Sequence, residues 1–337
     1  MTKFYNKTKI RKEKIMRKYL SVLIVLSIVI LSTFNVSATT DKSITSSFPT
    51  KLRFDMQTRT IKEVDDVATS RIESYTTRTS DSGYSPEYSV DVLDEDLGAN
   101  TRHLLGDWDP INPATGGRYR NTVYIEADTA NGTIRGTGFM IGPSAVATAA
   151  HVVYNTEFGG DNYIESGSVF PAHADNSNPY GSSDIIGVVV YDAWTDDKDA
   201  EYDWAIIELN SNMGDNVGWL GLRYQGSSYN GTGISINGYP KYVDIDNDGD
   251  DEITEIMYRS DGTISSSYTR LLRSVDTNTG GGMSGGPIYI YSSSSGYTAI
   301  AIHSASAKTS SGSKYNLFVR ITQDVYNDLV AYRSIRV

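Results

Sequence analysis

Residues 132–154 read GTIRGTGFMIGPSAVATAAHVVY and contain two short runs rich in β-forming residues, with a Gly-Pro-Ser turn signal between them. Similar short apolar runs, separated by Gly, Asn and Pro, continue to about residue 321. Many short strands separated by turn signals are typical of an all-β sandwich or barrel. The sequence therefore predicts an all-β fold, followed by one helix over 322–333 that Thr322 caps.

The N-terminal region has the parts of a secretory signal. Basic residues precede the apolar run YLSVLIVLSIVILSTF at 19–34, and the small residues of VSA follow at 36–38. We therefore predict a cleaved signal peptide over 1–38 and a secreted, extracellular protein. A membrane anchor is the alternative, because a run of this length is near the lower limit for a span. Met16 is an alternative start, because the basic lead is longer than a signal needs.

Residues 39–103 are rich in Ser, Thr and Asp and show little apolar periodicity. This composition is typical of a pro-segment or of a disordered linker. We favour a pro-segment, because a signal precedes it and a strand-rich domain at 104–337 follows it.

Composition restricts the partners and the sources of stability. The chain has 41 acidic and 30 basic residues and a formal net charge of −11, which argues against nucleic acid or anionic lipid as a partner. It has no cysteine, so no disulfide stabilises it, and stability must come from the core or from a metal. We expect a monomer that does not contact the membrane after signal removal.

Three residues that lie far apart in the chain can form a nucleophilic site. Ser284 lies among five glycines in TNTGGGMSGGPIYI at 277–290, His151 lies in ATAAHVV, and Asp203 lies in YDWAIIEL. A serine hydroxyl needs a base to take its proton, and that base needs a third group to orient it. We therefore predict that Ser284 is the nucleophile, His151 the general base and Asp203 the orienting group.

The glycines beside Ser284 predict an oxyanion hole. Acyl transfer places negative charge on a carbonyl oxygen, and backbone N–H groups beside the nucleophile can stabilise that charge. We assign this role to the N–H groups of Gly282 and Ser284. Such chemistry needs no cofactor.

The blocks TAAHVV, DWAIIEL and GMSGGP resemble the active-site blocks of chymotrypsin-fold serine proteases. Over roughly 104–335 the chain resembles the secreted bacterial glutamyl endopeptidases, through segments such as YTAIAIHS and YNLFVRITQDVYNDLVAY. The resemblance implies two six-stranded antiparallel β-barrels, at about 117–215 and about 216–321, with the site between them and a C-terminal helix. It also implies a pro-enzyme that, once processed, hydrolyses proteins or peptides after Glu and, less often, after Asp.

The resemblance further implies two substrate-binding residues. In that family, a histidine at the position of His303 lies in the S1 pocket and binds the glutamate carboxylate, and a hydroxyl at the position of Thr279 assists it. Asn278 is not acidic, which argues against a pocket for Lys or Arg. A core histidine on a strand is the alternative interpretation of His303, and another P1 preference is the alternative specificity.

By resemblance, the mature chain begins near Leu104. No Glu directly precedes that point, since Thr101, Arg102 and His103 do. We therefore expect another protease to make this cut.

Residues 244–255, DIDNDGDDEITE, match the pattern of a calcium loop, in which acidic residues alternate around Gly249. Asp251 replaces the usual apolar residue and no helix obviously flanks the loop, so a solvated acidic hairpin tip is the alternative. A bound calcium ion would be structural. An inactive, calcium-dependent binding protein of the same fold is the alternative to an enzyme. The candidate ligands are Asp244, Asp246, Asp248, Asp250 and Glu255.

Overall fold

The structure is a computed structural model. It describes residues 49–64, 80–81, 83–84, 108–112, 114–243, 252–309, 311–333 and 337. The predicted signal peptide, the expected mature N-terminus and the aspartates of the predicted calcium loop lie outside the described residues. Among the helices of the described ranges, none is long and apolar enough to span a membrane.

Four short strands precede the barrels. They are β1 (Lys51–Asp55), β2 (Thr60–Glu63), β3 (Ser80–Asp81) and β4 (Asp109–Ile111).

Six antiparallel strands form the first barrel. They follow the order β10-β7-β6-β5-β8-β9, and β9 pairs with β10 to close the barrel. Their bounds are β5 (Thr122–Thr129), β6 (Gly132–Met140), β7 (Ala145–Thr148), β8 (Ser166–Pro171), β9 (Ser183–Tyr191) and β10 (Ala205–Leu209).

The second barrel closes in the same way, in the order β17-β12-β15-β16-β19-β18 with β17 paired to β18. Outside this ring, β11 runs parallel to β18, β3 pairs with β11, β4 pairs with β15, and β13 pairs with β14. The predicted all-β class with two six-stranded barrels is confirmed. The bounds are β11 (Gly221–Arg223), β12 (Gly233–Gly238), β13 (Tyr242–Val243), β14 (Glu252–Ile253), β15 (Met257–Ser267), β16 (Leu271–Ser274), β17 (Pro287–Ser292), β18 (Gly296–Lys308) and β19 (Lys314–Arg320).

Each barrel has its own apolar interior. Val123, Ile125 and Val188 are fully buried in the first, and Ile236 and Phe318 are fully buried in the second. Alternate side chains of a strand point to opposite faces, so one set fills the barrel while the other faces outward. β-Branched residues suit this packing, which explains why short Val- and Ile-rich runs form these strands.

The C-terminal helix packs over both barrels. The short helices are α1 (Ala150–Val153), α2 (Asp192–Thr195) and α3 (Gly214–Val217), and the long one is α4 (Gln323–Arg333). The predicted helix thus begins one residue after Thr322, whose hydroxyl donates to the Asp324 carboxylate. Leu329 of α4 shares one buried cluster with Phe139 of the first barrel and Val319 of the second.

We predict that Leu329→Ala lowers the free energy of unfolding by about 2–5 kcal/mol, because it leaves a cavity where a buried side chain joins both barrels. Denaturant titration followed by tryptophan fluorescence measures this change. Gln323→Ala, at an exposed position of the same helix, is the control and should change stability by less than about 0.5 kcal/mol. Equal effects of the two variants would contradict the packing described for α4.

Candidate active site

His151 and Asp203 lie side by side because the strands beside them pair. His151 belongs to α1, just after β7, and Asp203 lies just before β10; β7 and β10 are paired from Thr148 and Ala205 onward. His151 Nδ1 lies 2.8 Å from Asp203 Oδ2 and 3.0 Å from Oδ1. The His151 backbone N–H also donates to Oδ1, at 2.9 Å. The carboxylate therefore orients the imidazole of His151.

Ser304 is a further partner of this carboxylate that the sequence analysis missed. Its hydroxyl, buried on β18 of the second barrel, donates to Asp203 Oδ2 at 2.6 Å. The sequence offered only one hint of this role, the position of Ser304 next to His303. A single serine in a strand does not reveal that its hydroxyl contacts Asp203. Asp203 thus accepts hydrogen bonds from both barrels.

The environment of the pair shifts both pKa values. Burial opposes protonation of His151, but the adjacent Asp203 carboxylate outweighs burial and raises the pKa of His151 above its ordinary value. Burial also opposes ionisation of Asp203, yet its contacts with His151 and Ser304 lower the pKa of Asp203. The carboxylate therefore stays ionised at neutral pH and stabilises a positive charge on His151.

Ser284 lies in the loop that joins β16 to β17, and contacts with both barrels hold its backbone. Thr137 N donates to the Ser284 carbonyl at 2.9 Å, and Gly285 N donates to the His303 carbonyl at 2.8 Å. Gly285 has φ +88°, and a Cβ there would collide with Thr137 and with Thr148, the last residue of β7 before the turn to His151. Glycine therefore lets the Ser284 loop approach the His151 turn closely.

Among the described residues, no hydrogen bond joins Ser284 Oγ to His151 Nε2. In free enzymes, contacts of this kind are often long and tighten only around the substrate. The structure therefore joins two of the three predicted residues directly and holds the third on an adjoining loop.

The peptide groups around Gly282 are arranged to leave two N–H groups free. Lys241 N donates to the Gly281 carbonyl at 2.6 Å, and Gly286 N donates to the Met283 carbonyl at 3.0 Å. In a planar trans peptide, C=O and N–H point in opposite directions, so the N–H groups of Gly282 and Ser284 point away from these donors. Within the described part of the chain, neither N–H donates to a hydrogen bond. Both are available to an oxyanion.

Gly282 has to be glycine at this place. Its φ is +102°, and a Cβ would collide with the carbonyl oxygen of Tyr239. Any larger residue would force the peptide plane to turn and would move the Gly282 N–H.

Thr137, a fully buried residue of β6, holds the loop around Gly282 in place through hydrogen bonds. The sequence analysis did not identify this residue. Its hydroxyl donates to the Gly282 carbonyl at 2.7 Å and accepts from Tyr239 N at 3.0 Å. Together with the bond from its N–H to the Ser284 carbonyl, these contacts connect three chain segments. Thr137 therefore positions the Gly282–Met283 peptide, which lies between the two peptides that carry the free N–H groups.

His303 lies on β18, beside the residues that follow Ser284. Its N–H donates to the Gly286 carbonyl at 2.9 Å, so its position relative to the Ser284 loop is set by the backbone. The imidazole is buried, and neither ring nitrogen makes a hydrogen bond of good geometry within the described residues. Burial, together with the nearby His151, lowers the pKa of His303 to about 4. At neutral pH the ring is thus an uncharged group with unused hydrogen-bonding capacity.

Thr279 belongs to a small polar group with Ser306 and Asn316. Its Oγ1 lies 2.8 Å from Ser306 Oγ and 2.8 Å from Asn316 Oδ1, to which Ser306 also donates at 2.7 Å. Asn316 is buried, and its Nδ2 donates to the Thr277 carbonyl at 2.8 Å. Asn316 therefore holds two hydroxyls together. The sequence analysis missed Ser306 and Asn316, which carry no motif of their own.

Of the predicted calcium ligands, only Glu255 lies within the described residues. Its carboxylate pairs with Arg135 at 2.5 Å and lies 3.3 Å from His173 Nε2. In the part of the chain that the structure describes, no three His, Cys, Asp or Glu side chains are grouped to hold a metal ion. The calcium loop stays a prediction.

Comparison with known proteins places this geometry in context. The sequence model of the family described as Trypsin matches residues 113–330. An extracellular metalloprotease of Bacillus subtilis (strain 168) is 36% identical over 224 residues, and a glutamyl endopeptidase of Bacillus licheniformis is 33% identical over 221 residues. The alignments cover 65% and 64% of this chain and the same shares of those relatives' own length.

Solved structures share the two-barrel fold. A Glu endopeptidase in complex with MPD superposes with a TM-score of 0.55 at 23% identity, covering 68% of this chain and 98% of that one. The thermostable serine protease AL20, from an extremophilic microorganism, superposes with a TM-score of 0.52 at 17% identity, covering 64% and 98%. The resemblance stated from the sequence is confirmed.

We predict that Asp203→Asn lowers the pKa of His151 below its ordinary value of about 6.5, because the carboxylate charge is lost while burial remains. NMR titration of the imidazole protons, in a Ser284→Ala background that prevents self-digestion, measures this pKa. Asp184→Asn, at an exposed carboxylate of β9, is the control and should leave it unchanged. An unchanged value in Asp203→Asn would contradict the pairing.

We predict that Thr137→Val lowers kcat on a peptide substrate by about tenfold or more and leaves KM nearly unchanged. The substitution removes the hydroxyl that holds the Gly282 carbonyl between the two N–H donors, and loss of a whole oxyanion donor costs about 10²–10³ in rate. Thr133→Val, at an exposed position of the same strand, is the matched control. If KM rose while kcat held, Thr137 would act on substrate binding instead.

Proposed function

The chain belongs to the trypsin family, and from this premise we propose that it is a secreted serine endopeptidase that cleaves after Glu and, less often, after Asp. The observation that carries the proposal is the Asp203–His151 pair beside a serine loop with two free N–H groups. These are the parts that acyl transfer to serine requires.

The proposed reaction uses the chain's own groups at each step. Ser284 Oγ attacks the scissile carbonyl carbon while His151 Nε2 takes the hydroxyl proton, and the carbonyl oxygen becomes an oxyanion. His151 then gives this proton to the leaving amine as the C–N bond breaks, which leaves an acyl ester on Ser284. Water, deprotonated by His151, attacks the ester and releases the acid, and the proton returns to Ser284.

Electrostatic stabilisation supports this sequence of steps. Positive charge develops on His151 as the oxyanion forms, and the ionised Asp203 faces it directly. The N–H groups of Gly282 and Ser284 would meet the oxyanion without reorganising, because hydrogen bonds already set their peptide planes. Neutral His151 is the base, so kcat/KM should fall as the pH drops through its raised pKa.

His303, Thr279 and Ser306 support the preference for an acidic P1 residue. A neutral imidazole donates one N–H, and the Thr279 and Ser306 hydroxyls, which now donate to Asn316 Oδ1, can rotate to donate to a carboxylate instead. Hydrogen bonds to a charged group contribute about 1.5–3 kcal/mol each, so uncharged donors can select a carboxylate. The chain's net charge of −11 repels acidic substrates at long range, so selection has to come from such local donors.

The relatives support the same proposal. The Bacillus licheniformis relative and one solved structure are named as Glu endopeptidases. The name of the Bacillus subtilis relative describes that protein as extracellular, which supports release from the cell.

The proposal is tested by mapping cleavage sites in an unfolded protein with the processed enzyme. We expect cuts after Glu, fewer after Asp, and none with Ser284→Ala. Cuts that do not follow acidic residues would overturn the P1 preference, and full activity of Ser284→Ala would overturn the serine mechanism.

We predict that Thr279→Val lowers the ratio of kcat/KM for P1 Glu over P1 Gln by about tenfold to a hundredfold, because a donor to the carboxylate is lost. His303→Ala should lower this ratio at least as much. Thr269→Val, at an exposed position of the turn between β15 and β16, is the control and should leave it unchanged. If neither Thr279→Val nor His303→Ala changed the Glu-over-Gln ratio, the P1 carboxylate would have to bind at other residues.

A further inference from the structure

Part of the edge of β9 is left open by the barrel itself. β8 pairs with β9 at Ser183 and Asp184, and β10 pairs along the opposite edge as far as Val189. On the β8 side, the stretch from Gly187 to Tyr191 is covered by β1, with five residue pairs in register. β1 comes from the predicted pro-segment, outside the barrel strands.

The hairpin of β1 and β2 buries an apolar anchor in the first barrel. Phe54 is only 1% exposed, belongs to the barrel's core cluster, and stacks on Tyr163 with the ring centroids 4.0 Å apart. Met56, just after β1, is buried in the same cluster, and its N–H donates to the Ile186 carbonyl at 3.0 Å. The hairpin therefore covers one face of the Tyr163 ring and the open edge of β9.

Basic side chains of the hairpin pair with acidic side chains of the protease domain. Three basic side chains of the hairpin each pair with an acidic side chain of the barrel or of α4. The Asp328 carboxylate, buried on α4, also accepts a hydrogen bond from the Tyr191 hydroxyl. Ion pairs near a surface contribute little affinity. We therefore infer that they fix which residues of β1 pair with which residues of β9, and that Phe54 and the β1–β9 backbone hydrogen bonds provide the binding strength. The pairs are Lys51–Asp328, Arg53–Glu208 and Arg59–Asp161.

The outer strand of the hairpin protects the new edge. All four residues of β2 are exposed, and Lys62 and Glu63 are charged, which disfavours pairing with a further strand. The contacts described for the hairpin involve β9, Glu208, α4 and residues 161–164, and none involves His151, Asp203 or Ser284.

We propose that residues 51–63 are a docking element that adds a strand to the open edge of β9 in the closed first barrel and stays bound after the link to the protease domain is cut. The partner surface is the open edge of β9 with the Tyr163 ring and three acidic side chains. Its ligand is a β-hairpin with one buried aromatic residue flanked by basic ones. The proposal depends on processing between residues 84 and 108 but not on the specificity for Glu.

The test uses the full chain without its signal, carrying Ser284→Ala, with a recognition sequence for a site-specific protease in place of residues 69–75. The fragment that carries the hairpin then lacks β3 and Tyr84, which make their own contacts with β11 and Trp219. After cutting, gel filtration separates free fragments from a complex. We expect the N-terminal fragment to elute with the barrel fragment at micromolar concentration. Separate elution would overturn the proposal. The inactive background keeps this result independent of the proposed peptidase activity.

Two matched variants locate the interaction. Phe54 and Ile61 face each other across the hairpin, but Phe54 is buried whereas Ile61 is 53% exposed. Phe54→Ala should raise the dissociation constant of the cut complex about a hundredfold or more, and Ile61→Ala should raise it less than about threefold. Equal dissociation constants for the Phe54→Ala and Ile61→Ala complexes would overturn the proposal.

Arg53→Ala keeps the proposal testable if the Phe54→Ala chain does not accumulate. It should raise the dissociation constant by about threefold to tenfold, through loss of the pair with Glu208. An unchanged dissociation constant in Arg53→Ala, and in the parent at high salt, would show that the ion pairs do not help to align the hairpin.

Discussion

The arrangement of the whole site depends on one buried carboxylate. Asp203 lies in the interior and remains ionised, and a buried charge is costly unless it is paired and hydrogen-bonded. Its partners come from both barrels: the ring and backbone N–H of His151 from the first, and the Ser304 hydroxyl from the second. The charge that orients His151 therefore also links the two barrels beside the Ser284 loop.

Residues from both barrels also hold the backbone around Ser284. Thr137 of the first barrel and His303 of the second donate to or accept from residues 282–286, so the loop has little freedom to turn. Because the chain has no cysteine, hydrogen bonds and core packing have to hold this geometry. The helix α4 contributes by packing across both barrels, and the hairpin 51–63 covers the edge that the first barrel leaves open.

Sequence patterns were sufficient for the all-β class, and the family resemblance supplied the two barrels. His151, Asp203 and Ser284 could be proposed as candidates because each lies in a local block with its own chemistry. Ser304, Thr137 and Asn316 could not be predicted, since a lone hydroxyl or amide acquires a role only from partners distant in the chain. The docking of KLRFD at 51–55 was missed for a similar reason. One buried aromatic residue in a short strand is too weak a pattern, and the edge of β9 that it covers is visible only once the barrel has closed.

The central claim is that His151, Asp203 and Ser284 act as one unit, and active-site labelling tests it most directly. The processed enzyme is treated with a peptidyl phosphonate carrying a P1 Glu analogue, and the adduct is located by mass spectrometry, with Asp203→Asn alongside. The account predicts one adduct, on Ser284, which forms much more slowly in the variant. No adduct on Ser284, or equal rates in the two proteins, would contradict it.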